Sequence, residues 1–126
     1  MKTSRLVQDY LQDIVEAMTK AEAFVDGLDL HAFRKDEKTL FAVIRALEIV
    51  GEAAKKVPLP LRRRFASVPW KNLAGMRDKL IHNYVGVSVE VVWRTVREDI
   101  PAVRPALVDM LRVIKSEEDS GECHTP

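Results

Sequence analysis

Apolar residues recur every three or four positions along almost the whole chain, the spacing of one face of an α-helix, and strand-like alternation is absent. Leu6, Tyr10, Ile14, Ala17, Ala21 and Phe24 or Val25 mark the first segment, with Ser4 as a candidate N-cap and Gly27 as a stop. Asp29 is placed to cap a short turn, HAFRKD. A second long helix is predicted from about Glu37 to Lys56, turning Leu40, Val43, Ile44, Leu47, Val50 and Ala54 inward and ending at Val57-Pro58. Gly51 lies on the same stripe, where the missing side chain lets another backbone approach, at a cost in helix propensity of about 1 kcal/mol.

A helical turn starting at Pro60, PLRRRF, comes next, and Ser67-Val68-Pro69-Trp70 then opens a helix that Gly86 closes. Ser88 is the candidate cap of the last helical region, VEVVWRTVREDIPAVRPALVDMLRVIK. Pro101 and Pro105 inside that pattern predict a kink or two abutting helices. Four principal helices plus short helical turns, without an internal repeat, predict an all-α, up-and-down bundle over residues 1–116. Residues 117–126, EEDSGECHTP, have no apolar period and predict a flexible C-terminal tail.

A chain of 126 residues, 47% hydrophobic and 31% charged, suits one soluble domain with a single core. It lacks the run of about 20 apolar residues that a membrane helix needs. The N-terminal MKTSRLVQDYLQD turns polar too early for a signal peptide, and the single cysteine, Cys123, has no partner for an internal disulfide. A cytoplasmic protein is expected. The formal charge of +1 hides an asymmetry: residues 55–79 hold eight basic side chains against Asp78 alone, whereas both flanking regions are net acidic. Such a block either attracts a polyanion or pairs with the acidic helices around it. Arg62, Arg63, Arg64, Lys71 and Lys79 are the candidate RNA-binding residues within it.

The segment GMRDKLIHNY, Gly75 to Tyr84, concentrates the candidate chemistry. At about 100° per residue, Leu73, Met76, Leu80 and Tyr84 form its apolar stripe, Arg77 shares the Tyr84 face, and His82 lies above Asp78 on the other side. Arg77 and His82, five positions apart, diverge by about 140° and do not meet on one regular helix. Either the helix distorts near its end, or two copies face each other and complete one site between them. Gly75, on the His82 side, would let a second helix come close, which favours a symmetric dimer.

A histidine exchanges protons near neutral pH, and an arginine fork holds two phosphate oxygens. Together they suit attack of an RNA 2′-hydroxyl on the adjacent phosphodiester, chemistry that needs no metal or other cofactor. No convincing metal cluster is present, since Cys123-His124 is two ligands without partners. Read blandly, His82 is solvated and Arg77 pairs with a carboxylate, for which Glu48 and Glu52 are the candidates.

RDKLIHNY, Arg77 to Tyr84, resembles the Arg-x4-His-x-Tyr signature of HepT-type toxins in the HEPN superfamily. Ala46–Pro58, Val68–Val87 and Val91–Val103 are similar to further blocks of that family in the same order, so that the resemblance covers residues 4–115. The resemblance implies an all-helical homodimer with a cleft between subunits and a metal-independent ribonuclease, with Arg77 and His82 as the catalytic pair. Asp78 is a candidate orienting residue, and Asn83 occupies the variable position. The family also implies a cognate MNT-type nucleotidyltransferase antitoxin that transfers AMP to the motif tyrosine, here Tyr84. Bulk and negative charge would then stand where an RNA phosphate binds. The alternative is a non-catalytic helper or binding subunit of a nucleotidyltransferase, in which the basic block holds the partner and His82 does nothing chemical.

Overall fold

Side-chain caps decide where several helices begin in the structure, a computed structural model that describes the backbone of residues 2–82 and 88–124 and the side chains of residues 5–76 and 88–119. Helix α1 spans Lys2–Val25, and Gly27, at φ 79°, turns the chain beyond its end. Asp29 accepts the Ala32 amide at 2.8 Å and starts α2, Leu30–Lys35. Asp36 then accepts both the amide and the hydroxyl of Thr39, at 3.0 and 2.6 Å, to start α3, Glu37–Lys56. The Thr39 hydroxyl, followed by its amide, holds the Asp36 carboxyl below its ordinary pKa. Val57 ends α3, and α4 covers Leu59–Arg64. Helix α5 covers Trp70–His82; Ser88 caps α6, Val89–Arg94, and α7 runs from Ile100 to His124.

Among the described residues no strand occurs, and the four long helices α1, α3, α5 and α7 carry the predicted all-α bundle. Helix α1 is central, packing against α3 on one side and α7 on the other. Val7, Leu11, Ile14, Ala17, Met18, Ala21 and Val25 follow its inner face and are buried. Each fully buried Leu, Ile or Met contributes about 1.5–3 kcal/mol of transfer free energy. Helix α3 adds Val43, Leu47 and Val50, and α7 adds Ile100, Leu107, Met110 and Ile114. Arg104 on α7 bonds Glu22 on α1, and Arg5 lies 3.5 Å from Glu118, which fixes α7 antiparallel to α1. No described helix is long and apolar enough to cross a membrane.

The junction between α6 and α7 resolves the proline question. Thr95–Asp99 form a π turn, closed by the Ile100 amide donating to the Thr95 carbonyl. Pro101 has no amide, and in a continuous α-helix its ring would clash with the carbonyl of Arg97. The wider turn directly upstream relieves that conflict and keeps the chain helical, whereas Pro105 sits inside α7.

Three expectations need correction. Helix α1 already runs from Lys2, so Ser4 lies within it rather than at its cap; the apolar period marks a face and not a first turn. The short turn begins at Leu59, with Pro58 as N-cap and Pro60 in the second position, where a missing amide costs no hydrogen bond. Residues 117–124, read as a flexible tail, continue α7 as helix. Glu117 pairs with Arg64, and Glu118, whose side chain is 8% exposed, meets Arg5 and Gln8, so polar contacts hold this turn where apolar ones are missing.

Candidate functional site

Helix α5, which carries the Arg-x4-His segment, is supported from one side. Trp70 donates its indole N–H to the Phe65 carbonyl at 3.1 Å and is buried, as is Leu73 one turn on, while Met76 is half-buried. These residues anchor α5 to α3, the long helix it packs against most closely among the described residues. The backbone stays α-helical through His82, so the distorted end that would bring Arg77 and His82 together within one chain is absent up to that residue. On this regular helix the two positions point about 140° apart.

The side chains of Arg77, Asp78, Lys79 and His82 lie outside the described residues, as do Asn83 and Tyr84 entirely. Glu48 and Glu52, the candidate partners of Arg77, are half-buried on α3, the helix that supports α5. Among the described residues Gly75 faces open space: a Cβ built there meets none of their atoms within 4 Å. Packing against the described residues therefore gives no reason for a glycine in mid-helix. Gly75→Ala is expected to stabilise the isolated chain by about 0.5–1 kcal/mol, read from a urea unfolding curve, because alanine narrows the unfolded ensemble and meets no clash.

The basic block is less available than its composition suggests. Arg64 grips Glu117 through both terminal guanidinium nitrogens, with Nη1 2.8 Å from Oε1. This hydrogen-bonded pair holds the Glu117 carboxyl below its ordinary pKa and raises that of Arg64. Arg62 donates its Nε–H to the Val57 carbonyl at 2.8 Å, closing the end of α3. Of the triplet, Arg63 alone is exposed with no partner among the described residues, and Lys71 on the first turn of α5 is likewise exposed. Two of the three arginines thus make contacts within the chain. Its partner Glu117 lies 53 positions away, in a segment whose apolar pattern gives no hint of contact.

A crevice of about 220 Å³ opens beside the Arg-x4-His segment, between α5, α6 and the π turn. Leu47, Met76, Val91 and Val92 give it apolar walls, and Asn72, Thr95 and Asp99 line its polar part. A larger apolar groove between α1 and α3, lined by Ala17, Phe24, Ala42 and Ile49, includes no described residue of α5. Sequence spacing singles out neither Asn72 nor Asp99. Asn72 lies one turn before Met76 on α5, but nothing in the spacing brings Asp99 across to it.

Comparison with known proteins bears on the whole of this arrangement. The family described as ribonuclease HepT-like matches residues 14–110, from the middle of α1 to the middle of α7 with α5 inside the match. The chain belongs to the HepT-like ribonuclease family. A relative from Thermococcus cleftensis, named "Probable ribonuclease HepT", is 52% identical over 77% of this chain and 88% of its own length. Two more distant relatives carry names that give them as candidate RNases. One, from Methanocaldococcus jannaschii, is 35% identical over 93% of this chain and 97% of its own. The other, from Caldanaerobacter subterraneus subsp. tengcongensis, is 39% identical over 89% and 97%. No solved structure matches this HepT-like chain.

Proposed function

We propose that this chain is the toxin of a toxin–antitoxin pair, a metal-independent endoribonuclease that works as a homodimer in the cytoplasm. Its family membership supports RNA as substrate. The observation that carries the two-chain site is the regular course of α5 through His82, with open space at Gly75. One helix cannot converge Arg77 and His82 on one phosphate, whereas two copies of α5 packed across a twofold axis can. An alanine methyl at Gly75 would intrude between them, so the substitution that stabilises the single chain weakens the dimer.

In the proposed reaction the RNA 2′-oxygen attacks the adjacent phosphorus and gives its proton to the His82 imidazole. Arg77 holds the non-bridging oxygens as negative charge builds on them. The bond from phosphorus to the 5′-oxygen breaks, and that oxygen takes up a proton. The products are a 2′,3′-cyclic phosphate and a 5′-hydroxyl, with tRNA and mRNA as the substrate classes. Asp78, four residues before His82, orients the imidazole.

Neutralisation comes from an MNT-type nucleotidyltransferase antitoxin. The phenolic oxygen of Tyr84 attacks the α-phosphorus of ATP, loses its proton and releases pyrophosphate, leaving AMP on the tyrosine. The added bulk and negative charge would then exclude an RNA phosphate from Arg77. The test is a tRNA pool incubated in EDTA with protein made without the antitoxin, its Tyr84 shown unmodified by mass spectrometry. Fragments ending in 2′,3′-cyclic phosphate are expected. Intact tRNA would overturn this reading and favour the helper-subunit one.

A further inference from the structure

The crevice beside the Arg-x4-His segment has a chemistry of its own. Its walls are aliphatic on both sides: Leu47 and Met76 from α3 and α5, Val91 and Val92 from α6. Val91, although apolar, is 49% exposed, so this wall lacks the cover that a core residue has. Two of its polar groups stand on different elements, the Asn72 amide on α5 and the Asp99 carboxylate at the end of the π turn. Neither makes a hydrogen bond or ion pair among the described residues, whereas the third polar group, Thr95, already donates its hydroxyl to the Val91 carbonyl at 2.8 Å. A volume of about 220 Å³ is below the roughly 300–1,000 Å³ of pockets for drug-sized ligands and suits one flat ring system.

We infer that this crevice is a nucleobase subsite that receives guanine from the RNA strand held at the proposed α5 site. The inference rests on the ribonuclease reading for its ligand and on the crevice for its selectivity. Single-stranded RNA is read through splayed bases that lie against side chains and present their edges. The negative charge of Asp99 repels phosphate, so a base enters rather than the backbone. An ionised carboxylate only accepts hydrogen bonds. Guanine alone among the four bases offers two adjacent donors, N1–H and the N2 amino group, which match the two carboxylate oxygens. Adenine and cytosine each place a ring-nitrogen acceptor beside their amino group, and uracil places carbonyls on both sides of its single N–H. The Asn72 amide supplies a donor for guanine O6 or N7, and the aliphatic walls take the ring faces. Met76 immediately precedes Arg77 in the chain, so the crevice and the proposed phosphate site share helix α5.

The test replaces single atoms. Matched short RNAs carrying guanosine or inosine, which lacks only the N2 amino group, are cleaved by the wild-type chain and by Asp99→Asn, and kcat/KM is compared. The expected result is at least a tenfold preference for guanosine in the wild type that collapses in Asp99→Asn. Equal cleavage of the two substrates by the wild type overturns the subsite and leaves the ribonuclease intact. In parallel, the Asn72 side-chain amide signal is followed by NMR as GMP, AMP, CMP or UMP is added. A shift with GMP alone is expected, and its absence overturns the subsite even if no RNA is cut. A chain that cuts nothing but still shows the GMP-specific shift retains the subsite and loses the nuclease reading instead.

Discussion

His82→Ala is expected to lower the rate of RNA cleavage by roughly 10²–10⁴-fold, the range that a positioned proton-transfer group contributes. Among the described residues α5 is anchored by Trp70, Leu73 and Met76, and His82 lies off the apolar stripe, so the fold is expected to survive the substitution with its thermal midpoint unchanged. Arg77→Ala is expected to fall as far, and Arg77→Lys to recover little, because an ammonium cannot reproduce the two-pronged hold on phosphate oxygens. The sharper experiment mixes the two dead proteins. If each site takes Arg77 from one chain and His82 from the other, half of the mixed dimers are heterodimers with one intact site. Activity then returns to about a quarter of wild type, as twofold symmetry requires. No recovery on mixing, with subunit exchange confirmed, would place both residues of each site on one chain.

Phe33→Ala is the substitution expected to cost most in stability. Phe33 is fully buried on the short helix α2, and its ring lies 5.2 Å from that of Trp93 on α6 at a tilt of 41°. Removing it forfeits the buried ring and leaves a cavity that six-residue helices close poorly, a loss of about 3–5 kcal/mol. For a domain of this size the thermal midpoint is expected to drop by roughly 10–20 °C, measured by circular dichroism. Phe33 also holds α6, one wall of the crevice, so the Asn72 amide signal should shift even before unfolding. A midpoint unchanged within a few degrees would mean that α2 is not integral to the core.

The sequence shows α3 clearly because its signals coincide: an unbroken apolar period, and Val57-Pro58 behind. Asp29 and Ser88 act as caps for the same local reason, since each accepts an amide three residues ahead. What the sequence hides is non-local. The contacts of Glu117 and Glu118 that keep α7 helical lie on α4 and α1, and a polar segment carries no period to announce them. Pro101 announces a break but not its form; a π turn adds one residue to the helical turn without changing which residue types appear. At the site, the 140° separation of Arg77 and His82 is read from spacing alone, but the openness at Gly75 needs the packed chain. The crevice joins residues 72 and 99, which no helical period relates.

The Arg64–Glu117 grip also bears on how salt acts on RNA binding. A cation that neutralises a phosphate releases a condensed counterion, and each such release steepens the loss of affinity as salt rises. Arg64 already has a carboxylate as its counterion, so a phosphate that replaced Glu117 would exchange one anion for another and leave a carboxylate uncompensated. Arg62 is turned to the Val57 carbonyl by its Nε–H and offers only part of its fork. Arg62 keeps its full charge while donating to a neutral carbonyl, so Arg62 and Arg63 still count in the ionic atmosphere of the nucleic acid and Arg64 does not. The triplet should therefore contribute one counterion release fewer to the salt dependence than its three charges suggest.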